Sequence, residues 1–149
     1  MAVELTALPA PAVSRIDQPV RLAVSGLTAG SLATLRVRTR DGSLREWGSA
    51  ATICADESGV VDASVHAPES GSYSGVDASG LLWSMTPMKP TPPVFFVGRT
   101  TKPLPMTLSV SVDGRQCRQG ATVVVGDPRV PRRRRLTSAL SGVRRIVCP

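Results

Sequence analysis

The sequence predicts an all-β sandwich of about seven strands, and three observations carry that expectation. Apolar and polar residues alternate over short runs, Gly, Asp, Ser and Pro separate those runs, and no part of residues 15–126 keeps a helical 3.6-residue period. A chain of 149 residues also has room for one domain with a substantial apolar core, needing neither metal nor disulfide.

The strands follow in order. Val20–Val24 ends at Ser25-Gly26. Leu32–Thr39 sets Ala33, Leu35 and Val37 against Leu32, Thr34, Arg36 and Arg38, and Asp41-Gly42 then supplies a hairpin-type turn. Trp47–Cys54 and Val60–Val65 flank the turn Asp56-Glu57-Ser58-Gly59. Leu81–Met85 is a fifth candidate, and Pro87, Pro90, Pro92 and Pro93 after it forbid a regular ladder. Met106–Val112 places Met106, Leu108, Val110 and Val112 on one face; Asp113-Gly114 turns the chain so that Ala121–Val125 pairs back. Seven strands over about 110 residues fit an immunoglobulin-like sandwich.

The net charge of +7 suggests an anionic partner until it is located. Residues 1–128 balance eleven basic against eleven acidic side chains, whereas residues 129–149 hold seven arginines and no acid. Arg132, Arg133, Arg134 and Arg135 are therefore the candidate anion-binding residues, against the plainer reading of a solvated, irregular end. Pro131 is placed to open a short helix reaching Leu140, with Gly142 as its stop. Aromatic residues make up only 3% of the chain, so stacking on nucleic-acid bases has little material and a nucleic-acid partner is not expected. No apolar run approaches the ~18 residues of a membrane span, and residues 1–20 lack a leader-like pattern. Cys54, Cys117 and Cys148 are odd in number and far apart, which reads as free thiols in a reducing compartment; the expected location is the cytoplasm. With one histidine and no C-x-x-C, no metal or cofactor is expected.

Candidates for chemistry are few. Gly71-Ser72-Tyr73-Ser74-Gly75 superficially resembles a nucleophile elbow, but that turn needs Ser or Cys at its centre, where Tyr73 stands. His66, the only histidine, precedes Ser72 and Ser74, the reverse of hydrolase order, and reads as a solvated loop residue. Cys54 lacks the glycine frame of an elbow and reads as a small core residue. No catalytic residue is assigned. Trp47 and Trp83 read as core or interface anchors before they read as ligand-stacking residues.

One stretch is more specific. Gly71–Pro87, GSYSGVDASGLLWSMTP, surrounds the only tyrosine, Tyr73, and one of two tryptophans, Trp83, with Gly71, Gly75 and Gly80, which turn chemistry explains. This segment resembles the GSYSGV…GLxWSMxP hallmark of the N-terminal domain of the acyl-CoA thioesterase / bile acid-CoA:amino acid N-acyltransferase family, with Ala78-Ser79 where the family carries Pro-Met. The resemblance extends through Asp17-Gln18-Pro19-Val20, Thr34-Leu35-Arg36, Asp41-Gly42, Trp47, Ala55-Asp56 and Gly59–Asp62 to Gly142-Val143-Arg144-Arg145, roughly residues 15–147. It implies an immunoglobulin-like accessory domain at 15–126, an extension at 1–14, and an Arg-rich tail at 127–149 that begins the inter-domain linker. It also implies, as partner, the catalytic α/β-hydrolase domain, where a Ser or Cys attacks the acyl-CoA thioester; acyl-CoA is a ligand only in that whole-enzyme context. Relatives of this kind occur in peroxisomes and mitochondria. Leu81–Met85 is more apolar than one buried side of a strand requires, so Tyr73, Leu82, Trp83 and Met85 are the expected domain-interface residues. The competing expectation is a stand-alone β-sandwich interaction module with a basic tail.

Overall fold

The computed structural model describes residues 2–8, 13–14, 21–89, 95–97, 104–125 and 143–147, with side chains for Val3, 21–89, 95–97 and 104–117. In chain order the elements are β1 (Ala2–Leu8), β2 (Val13–Ser14), β3 (Arg21–Ser25), β4 (Leu32–Arg40), β5 (Glu46–Cys54), β6 (Val61–Asp62) and β7 (Ser70–Gly71). A four-residue helix, α1 (Gly80–Trp83), precedes β8 (Thr86–Pro87), β9 (Leu104–Val112), β10 (Arg115–Val125) and β11 (Val143–Val147).

The strands form two sheets. The smaller has the order β11-β1-β3-β6 and is antiparallel throughout. The larger runs β2-β10-β9-β4-β5-β7, with β8 also pairing β5; only β2 and β10 are parallel. The period-two pattern decides which side of each strand is covered. On β4, Ala33, Leu35 and Val37 are fully buried; on β9, Met106, Leu108, Val110 and Val112 are buried as the alternation predicts. They meet Ala51 and Ile53 of β5, and Val3, Leu22, Val24 and Val61 of the small sheet, in one apolar cluster. The chain is an all-β sandwich. Between β9 and β10, Asp113 (φ 46°) and Gly114 (φ 78°) both take left-handed backbone, the two-residue turn whose twist matches that of the strands it joins.

Four expectations change. Leu81–Met85 is not a strand: Gly80–Trp83 is a helical turn, with Leu82 N–H and Trp83 N–H both donating to Ser79 C=O and Ser84 N–H to Gly80 C=O. The preceding turn causes this, since Gly80 N–H bonds back to Asp77 C=O at 3.1 Å and starts the chain coiling. The proposed strand Val60–Val65 shrinks to Val61–Asp62, because Asp62 turns the chain at Ala63-Ser64. The segments flanking the seven expected strands contribute β1, β2 and β11, so neither the N-terminal extension nor the tail is wholly irregular. Arg132–Arg135, and the helix expected from Pro131 to Leu140, lie outside the described residues. Cys54 is a free thiol, but Cys117 is disulfide-bonded, contrary to the free thiols expected; Cys148 lies outside the described residues.

The β4–β5 hairpin is held by a buried charge. Asp41 has no exposed surface, and its Oδ1 accepts from Ser43 N–H (2.9 Å), Ser43 Oγ–H (2.7 Å) and Arg45 N–H (3.0 Å). Its Oδ2 accepts from the buried Trp47 Nε1–H at 3.0 Å and from Val97 N–H at 3.4 Å. Gly42 N–H in turn donates to Val97 C=O at 2.7 Å, and Phe96 meets the Trp47 ring edge-on with centroids 5.3 Å apart. Burial pushes this carboxyl up, but the donors from Ser43, Trp47 and Arg45 outweigh it and hold the group well below the ordinary carboxylate range. Because the folded value is depressed, the stabilisation is complete above the unfolded value of about 3.9 and is lost as pH falls through the folded value. Asp41→Asn keeps the shape but aims an N–H₂ at the Trp47 N–H. We expect it to cost about 3 kcal/mol in urea denaturation at pH 7. The gap between the two proteins should narrow below about pH 4, and a gap constant down to pH 2 contradicts this role for Asp41.

Candidate functional site

The Tyr73–Met85 segment is fastened to the open edge of β5. Ser72 N–H donates to Ala50 C=O at 2.8 Å as β7 leaves the ladder, and Ser72 Oγ pairs with Ser84 Oγ at 2.7 Å. From the inner side of β5, Ser49 Oγ–H donates to Leu81 C=O at 2.5 Å, which draws α1 onto the sheet and buries Leu81 in the core. Tyr73 is buried against α1. A methyl group at position 80 would come within 3.0 Å of three ring carbons of Tyr73, so Gly80 is required by close approach and not, as the sequence suggested, by turn chemistry.

Packing of this kind decides which expected interface residues are exposed. Tyr73 is only 7% exposed, and Leu82 and Met85 are partly buried against the core. Trp83 is different: 64% of it is exposed, with Val76 at 54% nearby in sequence. The indole is nonetheless fixed, because its Nε1–H donates to Asp77 Oδ2 at 2.8 Å and its ring lies 6.4 Å from that of Tyr73 at 60°. Tyr73 Oη is buried with no hydrogen-bond partner among the described residues. Burial, with the Asp77 carboxylate second, raises the Tyr73 pKa.

A pattern that the sequence reading missed organises this turn and three others. Asp-x-Ser occurs at Asp41-Gly42-Ser43, Asp56-Glu57-Ser58, Asp62-Ala63-Ser64 and Asp77-Ala78-Ser79. In every case Asp Oδ1 accepts the Ser N–H at 2.8–2.9 Å, an Asx turn. In two of them a Trp six residues after the Asp donates its indole N–H to Oδ2: Trp47 to Asp41, and Trp83 to Asp77. The spacing D-x-S-x-x-x-W, present twice in the chain, was the available signal.

His66, Asp62 and Asp56 are engaged in structure. His66 is a held ring, half-buried, and not a solvated loop residue: its Nδ1 accepts Asp62 N–H at 3.0 Å and its Nε2 faces Asp56 Oδ2 at 3.6 Å. Burial pushes the Asp62 carboxyl up, but bonds from Arg21 and Ser64 outweigh it and lower its pKa. Ser58 and Val60 N–H do the same for Asp56. The partners of Ser72, Ala50 C=O and Ser84, are not shared with His66, so this geometry does not assemble a nucleophile with a base. Cys54 is half-buried at the end of β5. Among the described residues no cluster of three His, Cys, Asp or Glu is placed to hold a metal ion, and no helix is long and apolar enough to cross a membrane.

Residues 17–136 match the family described as the acyl-CoA thioester hydrolase/BAAT N-terminal region. The chain belongs to that family. It is 38% identical over 74 residues to human acyl-coenzyme A thioesterase 1, a match covering 50% of this chain and 18% of that protein. Human acyl-coenzyme A thioesterase 2, mitochondrial, is 38% identical over 74 residues, 15% of its length. Mouse bile acid-CoA:amino acid N-acyltransferase is 35% identical over 86 residues, covering 58% of this chain and 20% of that protein. The matches thus span about a fifth or less of the relatives' own length.

Two substitutions test the packing of the site. Gly80→Ala should cost about 2 kcal/mol, read by thermal or urea denaturation, because the Tyr73 ring must leave its seat. Tyr73→Phe should leave stability unchanged or raise it by about 1 kcal/mol, since it removes only a buried, unpartnered hydroxyl. A destabilising Tyr73→Phe would show that the hydroxyl has a partner in solution.

Proposed function

We propose that this chain is the accessory, non-catalytic sandwich of an acyl-CoA thioesterase-like protein, and that its Trp83 turn docks against the family's α/β-hydrolase domain. The observation that carries the reading is an exposed indole already held in one orientation by Asp77 and Tyr73. A large aromatic whose ordering entropy is spent before binding is the usual form of an interface anchor. Leu82 and Met85, partly buried against the core, and Tyr73, whose ring lies 6.4 Å from the indole, complete the docking residues of this reading. Acyl-CoA is then handled by the partner domain, with hydrolysis to fatty acid and CoA as the family activity. We read the sandwich as immunoglobulin-like, in the cytoplasm; the free thiol of Cys54 favours that compartment and the disulfide at Cys117 weighs against it.

Co-expression with the hydrolase domain of human acyl-coenzyme A thioesterase 1, followed by affinity capture, tests the docking. The chain should be retained, and Trp83→Ala should weaken retention about tenfold with little change in melting temperature. Equal retention of both forms would remove Trp83 from the interface. Palmitoyl-CoA turnover by the purified chain, abolished by Ser72→Ala or Cys54→Ala, would overturn the non-catalytic assignment.

A further inference from the structure

Nine large apolar side chains are exposed among the described residues, and four of them belong to the tip of the β4–β5 hairpin or to the segment bonded to it. Leu44 lies in the hairpin loop and is 68% exposed. Phe95, at 70%, is followed by the exposed Phe96 and Val97. Val97 C=O accepts Gly42 N–H at 2.7 Å, and Val97 N–H donates to Asp41 Oδ2 at 3.4 Å, so both backbone groups of Val97 fix this segment to the loop. Phe96 is seated edge-on against the Trp47 ring.

Leu44 is an unexpected occupant of its position. Its φ of 65° is left-handed, a conformation that Gly or Asn takes at less cost than a bulky side chain. Leu44 N–H donates to Asp41 C=O and Arg45 N–H to Asp41 Oδ1, both at 3.0 Å, and these bonds impose it. The loop thus carries backbone strain at a residue whose large apolar side chain stays in water. Folding gains nothing from that side chain, whereas a surface that receives it does.

Charge around the hairpin is positive. Arg38, Arg40 and Lys89 are exposed and Arg45 is half-buried. Met88 N–H donates to Glu46 C=O at 2.9 Å, which sets Lys89 beside the base of the hairpin. Of the two carboxylates here, Asp41 has no exposed surface, and Glu46 is taken by Arg40 through Nη2 at 2.8 Å. The Arg40 bond, with the charges of Arg38 and Lys89, lowers the Glu46 pKa. No acid occurs in the sequence between Asp77 and Asp113, a stretch that contains Lys89, Arg99 and Lys102.

We propose that this end of the sandwich docks on an anionic lipid surface, with Leu44, Phe95 and Val97 entering the headgroup boundary and the cations around them meeting lipid anions. Burial of the apolar groups and the negative surface potential then act together, and docking of this kind is peripheral, with no spanning helix. A protein partner is the weaker fit, because lysine is depleted at protein interfaces and leucine seldom anchors them. The surface shares no residue with the Trp83 turn, and the proposal does not depend on docking there.

The test is co-sedimentation of the full chain with vesicles of phosphatidylcholine alone and of phosphatidylcholine mixed equally with phosphatidylserine. Binding to the mixed vesicles well above that to the neutral ones is expected. Phe95→Ser, at an exposed position, should weaken it about tenfold. Leu44→Asn should weaken it about fivefold with the melting temperature unchanged or higher, since Asn accepts left-handed backbone. Trp83→Ala should change it less than about twofold. Binding that survives Phe95→Ser and Leu44→Asn but disappears when Arg132, Arg133, Arg134 and Arg135 are jointly replaced by Gln overturns the proposal, because tail charge then suffices. Absence of vesicle binding overturns it as well. So does capture by the hydrolase domain of human acyl-coenzyme A thioesterase 1, or self-association, that falls with Phe95→Ser in a chain that ignores vesicles, which assigns this end to a protein partner.

Discussion

The carboxylate of Asp41 is the point on which one end of the sandwich converges. A fully buried charge is tolerated only when its lone pairs are occupied. Here the occupants come from the hairpin loop, from the start of β5 and from the segment at Val97. Removing the charge therefore loosens three stretches of chain at once. It also frees Trp47, which shapes the floor under Phe96. The core between the sheets supplies most of the stabilisation, but it is non-directional; the hydrogen bonds to Asp41 fix where this end of β5 begins.

How much of this was legible follows from the range of the forces involved. Alternation along β4 and β9 is written in neighbouring residues, because burial on one face of a pleat has a period of two. The hairpin at Asp113-Gly114 was likewise local, needing only a residue pair that accepts positive φ. The helical turn at Gly80–Trp83 was not. Its residues are as apolar as a strand's, and what coils them is the Asp77 carbonyl before them and Ser49 from another strand. Gly80 shows the same limit: its reason is the ring of Tyr73, seven residues back, and no local signal tells close approach from turn chemistry. Of the four residues expected at a domain interface, Trp83 is the exposed one. The sequence did not separate it from Tyr73, Leu82 and Met85, because exposure depended on the coiling.

The two D-x-S-x-x-x-W turns use one local device for opposite ends. At Asp41 the indole is carried inward, and the bond satisfies a buried donor and a buried acceptor together. At Asp77 the same bond holds an indole that remains in water. Exposed aromatic side chains ordinarily sample several rotamers, and a fixed one has lost that entropy before any partner arrives. The contrast between the turns leaves Trp83, and not Trp47, as the indole presented at the surface.

The lengths of the outermost strands have a consequence for the isolated protein. β2, β6, β7 and β8 are each two residues long, and they occupy both edges of the large sheet and one edge of the small one. The nine-residue β5 would offer a long row of unpaired N–H and C=O groups. Instead β7 covers it at Ala51-Thr52 and β8 at Trp47-Gly48, the latter with Pro87, which has no N–H to give. On that margin a neighbouring chain finds no extended template on which to add a strand. On the opposite margin β2 pairs only Val124-Val125 of the eleven-residue β10, so among the described residues the longest template for edge-to-edge assembly lies along β10, with the five-residue β11 at the edge of the small sheet.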